Sequence, residues 1–214
     1  MIGKATRDLD AAAFAALRDD RRLVLDLGTG DGKHVLAVAR DRPGDLVVGL
    51  DAGPDAMRKT AQKASARPAK GGVPNALFVW GAVEALPAQL AGVDEVHCLM
   101  PWGSLLRALV QPDPDVLRGV AAVCRPGAPF LLTLNLHAWR PAVADVGDTV
   151  EPTPDSVRDE LAPVYAGAGW QVEDVDYPDA AALAELGTSW TKRLASTRDE
   201  LAVLRLMGTI TPPR

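Results

Sequence analysis

A glycine-rich turn with flanking carboxylates, residues 26–32 (DLGTGDG), is the feature of the chain best suited to bind a small molecule. It follows an apolar run at residues 22–27 that predicts a buried strand, and it precedes a helical pattern at residues 33–41. Glycines allow positive φ and let the backbone approach a ligand beside a helix N-terminus. A dinucleotide fingerprint, G-x-G-x-x-G, would serve a pyrophosphate. The G-x-G-x-G spacing after an acid instead favours a cofactor with a cationic ammonium and no pyrophosphate.

Further acids complete the predicted cofactor site. Asp26 is placed to hold the ammonium, directly or through water. Asp51 ends the second predicted strand, where a carboxylate can accept both hydroxyls of a ribose, and Glu84 follows the third strand and faces the adenine end. We predict that the cofactor is S-adenosylmethionine, because the first strand, its acid, the glycine turn and the second acid follow one another at the expected spacing. The neighbouring residues predicted to line it are Gly28, Thr29, Gly30 and Ala52.

A proline and an aromatic residue follow the fourth predicted strand, where this fold places the group beside the transferable methyl. Many amino-methyltransferases carry Asp/Asn-Pro-Pro-Tyr/Phe there, with the ring stacked on the target base. The chain keeps Pro101 and Trp102 but has Leu99 and Met100 before them, so an acceptor for the base amine must be backbone near Pro101. Enzymes that modify a nucleobase extrude it and hold it between aromatic or apolar groups. Trp190, in a polar loop, is the second aromatic side chain that we predict to stack on the base.

Other aromatic, histidine and cysteine side chains are assigned no chemistry. Strand patterns predict that three further tryptophans pack in the core, and the histidines are scattered and predicted to be structural or surface residues. No Pro-Cys context supports a nucleophile, so the thiols are predicted to be buried. These residues are Trp80, Trp139 and Trp170; His34, His97 and His137; and Cys98 and Cys124. The spacing predicts no metal site.

The formal net charge of the 214-residue chain is −5, but its distribution is uneven. One basic cluster contains Lys59, Lys63, Arg67 and Lys70, and a second, near the C-terminus, includes Arg193 and Arg198. Acids crowd into residues 145–185. A protein with one basic face and one acidic face can dock on RNA phosphates through the basic face. The alternative is that the basic residues only form a solvated helix face.

Strands alternate with helices along the chain, which predicts an α/β fold with βαβ crossovers. Together with the predicted S-adenosylmethionine site, this leads us to expect a Rossmann-like class I methyltransferase domain. We expect a mostly parallel seven-stranded sheet with helices on both faces. The predicted strands are residues 22–27, 46–50, 76–80, 93–99, 130–136, 170–177 and 201–210, and the predicted helices are residues 33–41, 55–66, 115–123 and 156–168.

The length fits a single methyltransferase domain, residues 1–214, with an N-terminal extension at 1–20 and inserted loops for target recognition at 137–155 and 178–192. No apolar run is long enough to span a membrane, and the N-terminus lacks a signal-peptide pattern. We therefore expect a cytoplasmic protein without membrane partners, acting as a monomer.

Several segments resemble the aminoglycoside-resistance 16S rRNA methyltransferases of the Kam and Npm type. They are DLGTGDGKH (26–34), PAKGG (68–72), MPWGSLLR (100–107), AVCRPG (122–127), NLHAWRP (135–141), EPTPDS (151–156) and TSW-x-x-RL (188–194). The resemblance implies methylation of N1 of adenine 1408, in the 16S rRNA decoding site of the 30S subunit, with S-adenosylmethionine as methyl donor. Aminoglycoside resistance is the implied consequence.

The resemblance also implies roles for individual residues. Asp26, Gly28, Asp51, Glu84 and Ser104 would line the cofactor, with Ser189 near it. Trp102 and Trp190 would grip the flipped adenine, and the basic residues of 59–70, with Arg193 and Arg198, would contact RNA. Three alternatives stay open: a tRNA guanine-N7 methyltransferase, a small-molecule methyltransferase with both tryptophans in a metabolite pocket, and a non-enzymatic cofactor-binding protein.

Overall fold

Seven strands form one sheet in the computed structural model, in the order β3-β2-β1-β4-β5-β7-β6. The structure describes residues 6–8, 10–140, 146–185 and 202–213. The strands are β1 (Leu23–Leu27), β2 (Leu46–Asp51), β3 (Ala76–Trp80), β4 (Glu95–Leu99), β5 (Ala128–Asn135), β6 (Trp170–Asp176) and β7 (Val203–Ile210). Strands β1 to β5 pair in parallel, whereas β7 runs antiparallel to β5 and β6. The predicted Rossmann-like sheet is confirmed.

Helices connect most of these strands. They are α1 (Ala11–Arg18), α2 (Lys33–Asp41), α3 (Pro54–Ala64), α4 (Gly103–Val110), α5 (Pro114–Val123), α6 (Pro154–Ser156), α7 (Ala162–Gly167) and α8 (Ala180–Glu185). A π-helical turn, Val157–Leu161, joins α6 to α7. The sequence patterns predict α2, α3, α5 and the helical stretch containing α7, but they do not predict α1, α4 or α8. Helix α1 lies within the expected N-terminal extension, and its Phe14 is buried in the core.

The two faces of the sheet are covered by different helices. Buried side chains of α4, α5 and α7 pack with one face of β1, β2, β4 and β5 in the larger apolar cluster. Helices α2 and α3 pack on the other face, against β1, β2 and β3. Every residue of β1 is buried, as expected for a parallel strand covered on both sides.

The strand order reverses between β1 and β4. The chain leaves β1 towards α2 on one face and leaves β4 towards α4 on the opposite face. At such a switch point the two connections diverge and leave a crevice at the carboxyl ends of the strands. Both predicted motifs, the glycine turn after β1 and Pro101-Trp102 after β4, border this crevice.

The tryptophans predicted for the core differ in their environments. Trp170 is fully buried, stands edge-on to Phe130 and donates from Nε1 to the carbonyl of Leu117. Trp139 is partly buried against the larger cluster. The prediction for Trp80 is wrong: the residue is 58% exposed, because it ends β3, the edge strand of the sheet.

None of the helices among the described residues has both the length and the apolarity needed to cross a membrane.

One buried amide closes the loop between α2 and β2 and ties it to β3. Nδ2 of Asn75 lies 2.8, 3.1 and 2.9 Å from the carbonyl oxygens of Ala39, Arg42 and Asp45. We expect Asn75→Ala to lower the free energy of unfolding by about 1–3 kcal/mol, because it leaves buried acceptors without their donor. Urea denaturation measures this, with the exposed Gln62→Ala as the control; equal stability of the two variants would contradict the expectation.

Candidate active site

A cavity of about 770 Å³ fills the crevice at the switch point. The glycine turn, the end of β2 and the segment after β3 form one side, and the residues after β4 form the other. Ten predicted site residues line it: Asp26, Gly28, Thr29, Gly30, Asp51, Ala52, Glu84, Pro101, Trp102 and Ser104. The structure therefore brings together the predicted cofactor and target residues that it describes.

Four predicted site residues lie outside the described residues: Ser189, Trp190, Arg193 and Arg198. Their assignment stays a prediction.

The glycine turn has a steric reason for its composition. Gly32 has φ +70°, and a Cβ there would lie 2.3 Å from Cε1 of Phe78. Gly28 has φ +66°, and a Cβ would lie 2.8 Å from Cδ2 of Leu105 in α4. A side chain at either position would strain the backbone, and at Gly32 it would also collide with the buried ring of Phe78, so both positions favour glycine.

Asp51 is fixed by the turn that it faces. Its two carboxylate oxygens accept the backbone N–H groups of Gly30 and Gly53, each at 2.7 Å. The side chain is half-buried at the cavity wall. Each oxygen keeps a further lone pair, so the carboxylate can accept hydroxyl donors from a ligand.

The Asp26 carboxyl lies at the bottom of the cavity and is only 1% exposed. The Thr29 hydroxyl donates to its Oδ2 at 2.6 Å. Room for Thr29 comes from Gly49, the residue beside Asp26 in β2: a Cβ at Gly49 would lie 2.8 Å from Oγ1 of Thr29. Burial raises the pKa of Asp26, and a cationic ligand would compensate its charge.

His34 and His97 are paired, which the sequence did not indicate. His34 lies on α2 and His97 on β4, and Nε2 of His34 is 2.9 Å from Nδ1 of His97. Both are buried, and His34 lines the cavity. Their separation by 63 positions hides the pair, since only the parallel register places His97 beside Asp26. Cys98 and Cys124 are buried thiols, as predicted.

The target side of the cavity begins with a strained residue. Met100 has φ +51°, and its N–H lies 2.9 Å from the carbonyl oxygen and 3.1 Å from Oγ1 of Thr133. Its side chain is buried with Leu183 of α8 and Val203 of β7. Trp102 then precedes α4, half-buried and packed partly against the core. Met100 therefore fixes the direction in which Pro101 and Trp102 leave β4.

The predicted basic cluster lies on α3 and on the segment that follows it. Lys59 and Lys63, one helical turn apart on α3, are exposed, as are Arg67 and Lys70 in the following short helical turn. The Thr60 hydroxyl on the same helix donates to the carbonyl of Asp31 and fastens α3 to the turn.

We expect Thr29→Val to weaken S-adenosylmethionine binding about tenfold at neutral pH. The substitution keeps the shape of the side chain but removes a hydrogen bond to a charged acceptor, worth about 1.5–3 kcal/mol. Calorimetric titration with the cofactor measures the loss. Thr29→Ser, which keeps the hydroxyl, is the control; the two variants binding equally tightly would show that the hydroxyl does not support Asp26.

Comparisons with known proteins agree over nearly the whole chain. A family model described as NpmA, 16S rRNA (adenine(1408)-N(1))-methyltransferase, matches residues 1–209. A 16S rRNA (adenine(1408)-N(1))-methyltransferase of Streptoalloteichus tenebrarius is 55% identical over 215 residues, with 99% of both chains covered. The crystal structure of the 16S rRNA methyltransferase KamB superimposes with a TM-score of 0.92 at 54% identity, covering 99% of both chains.

A structure with bound cofactor is also similar. A mutant of the 16S rRNA (adenine(1408)-N(1))-methyltransferase from Catenulisporales acidiphilia, solved with the cosubstrate SAM, gives a TM-score of 0.88 at 39% identity. The match covers 100% of this chain and 97% of that one. On the family match and these similarities, the chain belongs to the NpmA family of 16S rRNA (adenine(1408)-N(1))-methyltransferases.

Proposed function

We propose that this protein transfers a methyl group from S-adenosylmethionine to N1 of adenine 1408 in the 16S rRNA of the 30S subunit, and so confers aminoglycoside resistance. The observation that carries the proposal is the cavity at the switch point, where the acids of the predicted cofactor site face Pro101 and Trp102 across one crevice. The family match over residues 1–209 identifies the base and the RNA. We further propose that it acts as a monomer in the cytoplasm, where 30S subunits are found.

The residues around the cavity fit the cofactor. A buried carboxyl with a raised pKa, at Asp26, favours a cationic ligand, and Asp51 offers free lone pairs to hydroxyl donors. Glu84 is exposed at the far wall, and Ser104 opens α4 on the target side. When bound there, S-adenosylmethionine supplies an electrophilic methyl group.

The protein contributes positioning rather than acid–base chemistry at the base. N1 of a neutral adenine carries a lone pair and needs no general base. Trp102, which is half-buried and lines the cavity, would stack on one face of the base, and Trp190 on the other. A backbone carbonyl near Pro101 would accept from the adenine amine. Holding the reacting atoms in line lowers the barrier, and a shift of about 1 Å can cost a hundredfold in rate.

The basic surface of Lys59, Lys63, Arg67 and Lys70 is proposed to contact RNA phosphates, together with Arg193 and Arg198. The exposure of all four side chains supports this, and Thr60 holds the helix that carries Lys59 and Lys63 to the carbonyl of Asp31 in the glycine turn. Phosphate contacts position a protein without reading sequence, so the folded surface of the 30S particle would select the base.

The test of the reaction is reverse-transcriptase stop mapping of 16S rRNA after 30S subunits are incubated with enzyme and S-adenosylmethionine, since a methyl group on N1 blocks base pairing. We expect Trp102→Ala to lower the rate about a hundredfold, because an unstacked base cannot aim N1 at the methyl group. Trp102→Phe, which keeps a ring, should retain part of the activity.

The affinity of both variants for 30S subunits should stay close to that of the unmodified protein, since phosphate contacts supply most of the binding. Near-normal turnover by Trp102→Ala would show that this ring only packs against the core. If incubation with the unmodified protein produced no reverse-transcriptase stop in 16S rRNA, the proposed reaction would be overturned, and a small-molecule or tRNA substrate would be favoured.

Reversing one charge on the basic surface tests the docking model. We expect Lys63→Glu to weaken 30S binding and to reduce the slope of log affinity against log salt by about 1, the value for one lost phosphate contact. The matched control is Arg118→Glu on α5, an exposed arginine whose helix packs on the opposite face of the sheet. Equal effects of the two reversals would mean that net charge, not this surface, governs binding.

A further inference from the structure

One lysine lies among the acidic residues that line the cofactor cavity. The lining contains four carboxylic side chains, those of Asp26, Asp31, Asp51 and Glu84. Among the lining residues in the described part of the chain, Lys33 is the one lysine or arginine. A ligand that carries an anionic group besides cationic ones therefore meets many acids there and one ammonium group suited to its anion.

Lys33 is held at the cavity by a carboxylate that is itself fixed. Its Nζ lies 2.6 Å from Oδ2 of Asp31. The other oxygen, Oδ1 of Asp31, accepts the backbone N–H of Lys33 at 3.1 Å, and the Thr60 hydroxyl donates to the carbonyl of Asp31. Both the backbone and the side chain of Asp31 are thus fastened, so the flexible lysine ends at a defined place beside the glycine turn.

Two of the other lining acids are bound by neutral donors. Asp26 accepts the Thr29 hydroxyl at 2.6 Å, and Asp51 accepts the N–H groups of Gly30 and Gly53 at 2.7 Å. These contacts leave the negative charge of an ionised carboxylate uncompensated. Both acids therefore suit the ammonium and hydroxyl groups of S-adenosylmethionine, but they repel its carboxylate.

We propose that Lys33 binds the carboxylate of S-adenosylmethionine, exchanging its ion pair with Asp31 for one with the cofactor. The carboxylate and the ammonium of the cofactor are attached to the same carbon atom, so they lie at the same end of the molecule. Asp26, predicted to hold the ammonium, begins the glycine turn, and Lys33 directly follows that turn as the first residue of α2. This inference rests on the cofactor of the proposed function, but it concerns binding alone and not the base that is methylated.

The exchange of partners costs little. The side chains of Lys33 and Asp31 are 56% and 35% exposed, and ion pairs between exposed groups contribute little to stability. A lysine ammonium is a point charge on a flexible four-carbon stem, with three donors that need no fixed orientation. It can therefore turn from one carboxylate to another while the backbone of the glycine turn stays in place.

Calorimetric titration with two ligands tests the proposal. They are S-adenosylmethionine and its decarboxylated form, which keeps the sulfonium and the amine but lacks the carboxylate. We expect Lys33→Met, which removes the charge and keeps an unbranched side chain, to weaken binding of S-adenosylmethionine about tenfold. It should not weaken binding of the decarboxylated form. Lys33→Arg, which keeps the charge, should retain most of the affinity for S-adenosylmethionine.

A second substitution is expected to act in the opposite direction. Asp31→Asn keeps an oxygen for the backbone N–H of Lys33, but it no longer competes for the ammonium of Lys33 or repels the carboxylate of the cofactor. We expect it to tighten binding of S-adenosylmethionine roughly threefold and to give no gain for the decarboxylated form. The control is Arg40→Met, an exposed residue in the last turn of α2 outside the cavity lining, which should leave both affinities unchanged.

Loss of affinity by the same factor for both ligands in Lys33→Met would overturn the proposal, because it would show that the lysine does not sense the carboxylate. Weaker binding of S-adenosylmethionine by Asp31→Asn would overturn it as well, and this variant stays decisive if Lys33→Met does not fold. Unchanged cofactor affinity with weaker 30S binding in Lys33→Met would assign the lysine to RNA instead. Failure to methylate 30S subunits, with the expected ligand dependence observed, would refute the proposed reaction and leave this inference intact.

Discussion

The architecture of the cofactor end depends on keeping one carboxyl group inside the sheet. Asp26 is buried at the centre of a row of register partners, with Gly49 on one side and His97 on the other. Gly49 must lack a side chain so that Thr29 can reach the carboxyl, and His97 must be polar because the carboxyl cannot stand beside an apolar neighbour without further cost. The composition of three strands is thus constrained by a single buried carboxyl group at the bottom of the cavity.

The target end depends on a different constraint, the path of the chain after β4. A non-glycine residue at positive φ costs about 1–3 kcal/mol, so Met100 must be held by its surroundings. Two hydrogen-bond contacts to Thr133 and burial with Leu183 and Val203 supply that support. The same packing connects α8 and β7 to the segment that carries Pro101 and Trp102.

Local patterns predict the strands and the residues that line the cavity, because parallel strands are apolar runs and a glycine turn has a local steric cause. The predictions that differ from the structure do so because of contacts between residues that are distant in the sequence. Trp80 belongs to a strand pattern, and only the strand order makes it an edge residue. The His34–His97 pair depends on the register of β1 with β4, which no spacing reveals. Helix α4 is not predicted from the sequence; it begins directly after Pro101-Trp102, with Trp102 as the residue that precedes its first turn.

The net charge of −5 and a polyanionic target are compatible because of where the sheet places the charges. Helix α3, with Lys59 and Lys63, packs on β3 at one edge of the sheet, and β6, with Glu173 and Asp174, forms the other edge. Screening at physiological salt limits interactions between exposed charges to about 8 Å, so a phosphate near α3 is attracted by the lysines and scarcely repelled by β6. Approach from the β6 edge is repelled instead. In the proposed docking through α3, the acidic edge would not weaken binding; it would disfavour the opposite orientation and so favour the one in which the basic surface faces the RNA.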